Sequence, residues 1–491
     1  MSSTSQPHLG VVGLGVMGRN LALNALDEGV AVAGTDLGED AVSGFAAEAE
    51  GRALVSTTDL GAFLDALPTP RNILVMVPAG KAVDAVLDGL IPRLDAGDLV
   101  IDGGNSYFKD TQRRHDRLAE AGLHFFGMGV SGGEEGARHG PSLMPGGPRE
   151  PYDRVAPVLR GMAAKVDGDP CVAHLGAGAA GHYVKMVHNG IEYGLMQLLA
   201  EAYDVCKRGL GMGNEEMGDL FASWDEGPLN SYLVGITAQI LRQPDVVAVQ
   251  PEETPADEAP PEGATGHYLL NFIADTASQK GTGKWTSQDA LDLGVPTPTI
   301  DVSVTSRYLS ALKDERVAAA DRLGAPARRF TDSEADVVAR LGDALHAAFL
   351  VTYAQGFALL QRASDAYEFG LDLGEVARIW RGGCIIRASM LETFREAFAA
   401  DADLTNLLVA PTVAEELNGH QEAVRDVVAQ AVRAGLPVPA LSASLSYLDA
   451  YRSAWLPANL VAAQRDYFGA HTFTRIDRDG KHHAQWLPAG M

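Results

Sequence analysis

Residues 10–22 read GVVGLGVMGRNLA, and this stretch decides how the first third of the 491-residue chain is understood. Three glycines stand as Gly13-x-Gly15-x-x-Gly18, straight after the apolar run 9–12 and at the head of a helix-favouring segment. One glycine can turn the chain sharply, one lets the backbone approach a pyrophosphate, and one lets helix pack on strand. The helix N-terminus then stabilises the phosphate charge. The same glycines could form a plain turn, but their flanks are those of a strand–turn–helix unit that binds a dinucleotide.

Working outward, the runs 9–12, 30–36, 73–77, 99–102 and 123–128 are short, apolar and bounded by Gly, Pro or Asp, and so are predicted to be strands. They alternate with helical segments. That pattern predicts an α/β, Rossmann-type, doubly wound parallel sheet over residues 1–180. From residue 181 the strand signals stop. Long Ala/Leu-rich periodic segments follow, including 337–367 and 415–434, which predict a large all-α domain over 181–455. Within it, residues 243–266 are rich in Pro and acids and predict a surface loop. Residues 456–491 form a C-terminal tail. It holds one predicted helix, 457–467, and aromatic residues (Phe468, Phe473, Trp486) that argue for docking rather than fraying.

The net charge of −25 argues against nucleic-acid binding but permits a local cationic pocket. No apolar run suggests a membrane span, and the first residues lack a secretory pattern, so the cytoplasm is the expected compartment. Cys171, Cys206 and Cys384 are far apart and odd in number, with no metal or disulfide spacing.

Asp36 ends the second predicted strand, 18 positions past Gly18. A carboxylate there accepts hydrogen bonds from the adenosine ribose hydroxyls and repels a 2′-phosphate. It is followed by Leu37, Gly38 and Glu39 with no cation, and the nearest arginine, Arg19, lies in the first helix. This favours NAD over NADP. Asp36 could instead simply cap a turn.

Residues 181–194, GHYVKMVHNGIEYG, raise a second question. On a helix, Lys185, His188, Asn189, Glu192 and Tyr193 fall within an arc of about 140°. The opposite side carries Met186, Val187, Gly190 and Ile191. Such a face is either a solvated stripe or a wall of chemically active groups.

The motifs GLGVMGRNLALN, IDGGN (101–105), GVSGGEEGARHGPSLMPGG (129–147), GHYVKMVHNGIEYG, KGTGKWT (280–286) and QRDYFGAHTF (464–473) together resemble the decarboxylating 6-phosphogluconate dehydrogenases, over nearly the whole chain and in order. The resemblance implies oxidation of 6-phosphogluconate at C3, loss of C1 as CO2, and no metal. It implies that Lys185 is the base and Glu192 the acid that protonates C1 of the enediol left behind, the former C2. It assigns substrate contacts to Asn105, Ser131, Gly132, Gly133, His188, Asn189, Tyr193, Lys280 and Arg307. Arg465 and His471 in the tail resemble residues that reach the partner's site in a homodimer. The cofactor is assigned to Gly13, Leu14, Gly15, Val16, Met17, Gly18, Asp36, Met76, Val77, Pro78 and Asn105. Two departures from the family pattern again point to NAD, with NADP the alternative. Asp36-Leu37-Gly38 stands where NADP-using members carry an Arg, and Pro78 stands where many carry Lys.

A dehydrogenase for another 3-hydroxy acid without phosphate would leave Lys280, Arg307, Arg465 and His471 with no anion to bind. A non-catalytic nucleotide sensor would be expected to have lost Lys185 or Glu192, and both are present.

Overall fold

The computed structural model describes residues 8–245, 268–324, 330 and 332–486. The chain falls into two compact units that divide between Ser444 and Leu445, and each is described by itself.

The first unit begins with a seven-stranded sheet: β1 (His8–Val12), β2 (Ala31–Thr35), β3 (Val55–Thr57), β4 (Asn72–Val75), β5 (Leu99–Asp102), β6 (His124–Ser131) and β7 (Ser142–Gly146). Their order is β3-β2-β1-β4-β5-β6-β7. All neighbours pair parallel except β6 and β7, which are antiparallel, with Gly127 opposite Gly146 and Ser131 opposite Ser142. Both faces are covered. Phe125 and Phe126 are consecutive, so the pleat sends them to opposite sides. Phe126 joins a core with Leu21, Leu26 and Tyr152, and Phe125 joins one with Phe63, Leu87 and Leu118. Burial on both faces is why the central strands read as apolar runs rather than alternating ones.

Two strands were not legible. β3 is three half-buried residues, too short to show a pattern. β7, SLMPG, contains Pro145, which suits an edge position because Pro cannot donate to a second neighbour. The sheet is therefore mixed rather than wholly parallel. The strand order reverses at β1 and β4, and the crevice beyond their carboxyl ends is where such sheets hold ligands.

Helices take over at Ala180–Asp204, hereafter the site helix. The expected segment 337–367 is the 33-residue helix Glu334–Ala366, and 415–434 lies within Pro411–Ala434. By length and hydropathy Glu334–Ala366 would suit a membrane span, which corrects the reading of the apolar runs. Its most apolar window is 72% buried inside the protein, packed between Pro411–Ala434 and the site helix. The predicted loop 243–266 lies outside the described residues beyond Asp245.

The site helix rests on the sheet at backbone distance. A methyl at Gly181 would collide with the carbonyls of Gly127 on β6 and Met144 on β7, and would lie 2.7 Å from the Gly146 amide. A methyl at Gly129 would run into the Lys185 stem.

The second unit is small. It holds helix Ala458–Gly469 and a two-residue hairpin pairing Phe473 with His482 and Thr474 with Lys481.

Gly181→Ala tests the close approach. Overpacking of this kind costs about 1–3 kcal/mol, so the urea midpoint should fall, followed by circular dichroism. An unchanged midpoint would show that the helix has room at this point.

Candidate active site

The glycine turn follows β1 directly. Gly13 has φ 94°, in the left-handed region, and a methyl there would strike the Met76 carbonyl. Its amide donates to Thr35 O at 2.9 Å. Gly15 differs: nothing lies within 4 Å of where its Cβ would be, at the N-cap of helix Val16–Asp27. An open cradle beside unpaired helix N–H groups fits a pyrophosphate, and any side chain at Gly15 would fill it. Leu14, Val16 and Met17 continue the turn into the helix. Met76, Val77 and Pro78 follow β4 on the other side of the crevice, with Met76 N donating to Val12 O at 2.8 Å.

Asp36 caps the glycine turn, the simpler of the two roles that the sequence allowed. Oδ2 accepts from Leu14 N at 2.7 Å, and Oδ1 accepts from Gly38 N at 2.9 Å. The carboxylate thus caps the glycine turn. Each oxygen can accept a second bond, so each keeps one lone pair for a ribose hydroxyl. Arg19 Nη1 pairs with Glu48 Oε1 at 3.3 Å.

Asn105 is exposed at the tip of the loop after β5. On either side of it the loop is tied to Asp102: Oδ1 accepts from Gly104 N at 3.0 Å and Oδ2 from Ser106 Oγ at 2.7 Å. Behind this stands Arg114, fully buried, its Nη1 3.5 Å from Asp102 Oδ2. Arg114 also donates to Asp84 at 2.8 Å and to the Gly80 carbonyl at 2.9 Å. It thereby fixes the loops after β4 and β5 to one another. Nothing in the sequence singled out Arg114, because its partners lie far along the chain.

The stripe on the site helix is not a solvated face: Lys185, His188 and Asn189 are buried, and Glu192 and Tyr193 are half-buried. Lys185 is 6% exposed and His188 fully buried. Lys185 Nζ lies 3.5 Å from His188 Nδ1, which lies 3.9 Å from Glu192 Oε2. His188 Nδ1 is also 3.0 Å from Asn189 Oδ1, and its Nε2 is 3.2 Å from Ser131 Oγ. With the amide oxygen as acceptor, the imidazole proton belongs on Nδ1, and Nε2 accepts from Ser131. The imidazole therefore stands between the amine and the carboxyl, and ties the site helix to the end of β6.

Electrostatics push these groups toward neutrality. Burial lowers the Lys185 pKa, and the Glu192 charge opposes it. Burial raises Glu192, with Lys185 and Arg307 pulling it back. His188 is held well below its ordinary value by burial and by Lys185, so it is neutral. An amine that can lose a proton and a carboxyl that can keep one thus share a wall.

Three further residues of the expected set gather here. The Arg307 guanidinium lies 5.0 Å over the Tyr193 ring. Lys280 is exposed at the start of its loop and hydrogen-bonds through its backbone to Tyr193. Gly283, in the helix Thr282–Leu293 that follows, packs on that ring. Gly132, at φ 116°, and Gly133, at φ 64°, form the turn after β6. Arg465 and His471 belong to the second unit and are exposed there.

Other residues at the wall were not anticipated. Thr282 accepts from Asn189 Nδ2 at 3.1 Å, and Thr286 donates to the Met186 carbonyl at 2.8 Å. Trp380 meets the His188 ring edge-on at 5.6 Å. Gly383 O accepts from Ser142 N at 2.7 Å and lies where a Gly132 side chain would go. A Trp-Arg-Gly-Gly-Cys run (380–384) in a helical region was the available signal.

A Rossmann-type sheet with an open glycine cradle, joined to a helical wall that carries an amine and a carboxyl both pushed toward neutrality, is the arrangement of a nicotinamide-dependent dehydrogenase. Two family models match: "NAD binding domain of 6-phosphogluconate dehydrogenase" over residues 8–176 and "6-phosphogluconate dehydrogenase, C-terminal domain" over 181–486. The chain belongs to the decarboxylating 6-phosphogluconate dehydrogenase family, whose members are NAD(P)-dependent oxidoreductases. It is 49% identical over 484 residues to the "6-phosphogluconate dehydrogenase, decarboxylating" of Klebsiella pneumoniae, an alignment spanning 98% of this chain and 100% of that one. It is 48% identical, with the same coverage, to the NADP(+)-dependent decarboxylating enzyme of Bacillus subtilis (strain 168). The solved Plasmodium falciparum 6-phosphogluconate dehydrogenase is similar with TM-score 0.91 and 37% identity, over 98% of this chain and 100% of that one.

Glu192→Gln tests the coupling on the wall. Removing the carboxylate removes the charge that raises the Lys185 pKa, so that pKa falls further. A base acts when deprotonated, so the acid limb of the kcat/KM profile should move to lower pH. Turnover should fall roughly 10²-fold or more with the loss of the acid. An acid limb moved to higher pH would contradict the arrangement.

Proposed function

We propose that this chain oxidises 6-phospho-D-gluconate at C3 and releases C1 as CO2, yielding D-ribulose 5-phosphate, with NAD favoured over NADP. The observation that carries the reaction is the pair of buried Lys185 and half-buried Glu192 on one wall, each driven toward its neutral form.

The steps follow from that pair. Neutral Lys185 takes the C3 hydroxyl proton as the C3 hydrogen departs with its electron pair. When bound, the nicotinamide supplies the acceptor for that hydride. The resulting 3-keto acid loses CO2 as the protonated Lys185 returns its proton toward the ketone oxygen and neutralises the developing charge. Protonated Glu192 then delivers a proton to the former C2, which becomes C1 of the ribulose 5-phosphate. His188, Asn189 and Ser131, already joined by hydrogen bonds, hold substrate hydroxyls. Gly132 and Gly133 offer backbone N–H groups. Arg307 and Lys280, with Tyr193 between them, face the 6-phosphate.

Asp36 supports the NAD preference. Its carboxylate is fixed by Leu14 N and Gly38 N, so a 2′-phosphate would meet an immobile negative charge. Arg19, the nearest arginine in the sequence, is committed to Glu48. The glycine cradle, Met76–Pro78 and Asn105 would hold the rest of the dinucleotide.

A homodimer completes this reading. The tail exposes Leu460, Val461 and, at 73%, Phe468. Docked on a partner, these apolar groups leave water, and Arg465 and His471 add cations to the partner's phosphate site.

The test is an assay of the purified protein with 6-phosphogluconate and either cofactor, following the reduced nicotinamide and CO2 together. One CO2 per reduced nicotinamide is expected, with kcat/KM at least roughly tenfold higher for NAD, the value of one 1.4 kcal/mol repulsion. No turnover with either cofactor would overturn the reaction. A higher kcat/KM with NADP would overturn the cofactor preference alone.

A further inference from the structure

The tail segment 458–486 has no apolar core of its own, since Asp466 is its one buried residue, and what stands at its centre is therefore a carboxylate. Domains below about 40 residues seldom hold together by apolar burial alone. In helix Ala458–Gly469 the one buried residue is Asp466, with no exposed surface. Its oxygens gather four donors from the chain that follows. Oδ1 accepts from Thr472 N at 3.0 Å and from His483 Nδ1 at 2.9 Å. Oδ2 accepts from Ala484 N at 3.0 Å and from Trp486 Nε1 at 2.9 Å. Burial alone would raise this carboxyl, but the four donors outweigh it and hold the pKa down at about 2, so it is ionised throughout the neutral range.

Between the helix and the hairpin lies the turn 469–472, which carries His471. Its backbone is strained. Ala470 has φ 51° and Thr472 φ 61°, both left-handed and neither glycine. Such conformations persist only where the surroundings impose them. Here the imposing group is Asp466. Its main-chain carbonyl accepts from Ala470 N at 2.9 Å, and its side chain takes Thr472 N. His471 alone projects between these two fixed points, its ring against Gly469 and edge-on to Phe468 at 5.9 Å.

We propose that Asp466 is the positioning residue of the tail, fixing the 469–472 turn so that His471 is presented in a preset orientation to the phosphate of the substrate bound by a partner subunit. The proposal rests on the reading that the tail completes a partner's site. Asp466 touches no reacting atom. Its effect is on phosphate binding, not on the chemical steps.

Asp466→Asn is the decisive variant. Its side chain keeps one oxygen, and the new NH2 faces two donors, so half of the network is lost. Steady-state kinetics of the full-length enzyme should show KM for 6-phosphogluconate raised about tenfold or more, with kcat and the cofactor KM within threefold. Added to His471→Ala, the substitution should raise KM little further, because the turn then has no imidazole to orient. Trp486→Phe, which removes a single donor, should shift KM the same way by a smaller factor, and carries the test if Asp466→Asn does not fold. If His471→Ala raises KM while Asp466→Asn and Trp486→Phe leave it unchanged, the positioning role is overturned and the shared site stands. If His471→Ala itself leaves KM unchanged, the shared-site reading falls and the positioning role with it. A loss in kcat with KM unchanged would also overturn the proposal.

Discussion

Everything at the catalytic wall depends on how closely the backbone of helix Ala180–Asp204 approaches strands His124–Ser131 and Ser142–Gly146. Glycines at 129, 146 and 181 leave no side chain between helix and sheet. The Lys185 stem therefore passes over Gly129 and its ammonium group ends in a buried space. Any spacer at these positions would lift the helix and with it the amine, the imidazole and the carboxyl together. The same contact joins the dinucleotide-binding sheet to the substrate wall, which hydride transfer requires, since reacting atoms must come within about 3–3.5 Å.

Burial is expensive for an ion, with an effective penalty of several kcal/mol for each charge. A buried group lowers that cost by moving its pKa toward the neutral form. At this wall the cost becomes function. The amine loses part of its basicity, as the proposed base requires, and the carboxyl gains affinity for a proton, as the proposed acid requires. His188, neutral and hydrogen-bonded on both nitrogens, fills the gap between them without adding a charge. Arg307 and Lys280 stand at the far end of the same helix face, where an anion can be met. The strongly acidic surface of the chain does not conflict with this, because the cations are local.

The glycine motif and the alternation of apolar runs made the sheet legible, and the 3.6-residue stripe made the site helix legible. What escaped depends on distant partners. Ser142–Gly146 pairs antiparallel because the chain folds back after the Gly132–Gly133 turn, which no local pattern announces. Arg114 is one basic residue among several in helix Phe108–Glu120, and only the fold brings Asp84 and Asp102 to it. The middle of Glu334–Ala366 is apolar because other helices enclose it, and in sequence that reads the same as lipid burial. Asp36 presented two readings, a turn cap and a ribose acceptor. A carboxylate has lone pairs for both, and the geometry leaves one of each oxygen's free for the second role. Asp466 lies inside the run QRDYFGAHTF, yet its four donors come from residues 6 to 20 positions further on.

The account stands on Lys185 as the group that takes the C3 proton. The most direct measurement is a rapid-mixing single turnover of Lys185→Met, folded by circular dichroism, with 6-phosphogluconate and NAD or NADP. Methionine fills nearly the same volume without the amine. The account predicts bound substrate but no burst of reduced nicotinamide, with the hydride-transfer rate down roughly 10²- to 10⁴-fold. A burst at a rate close to that of the unmodified enzyme would contradict it.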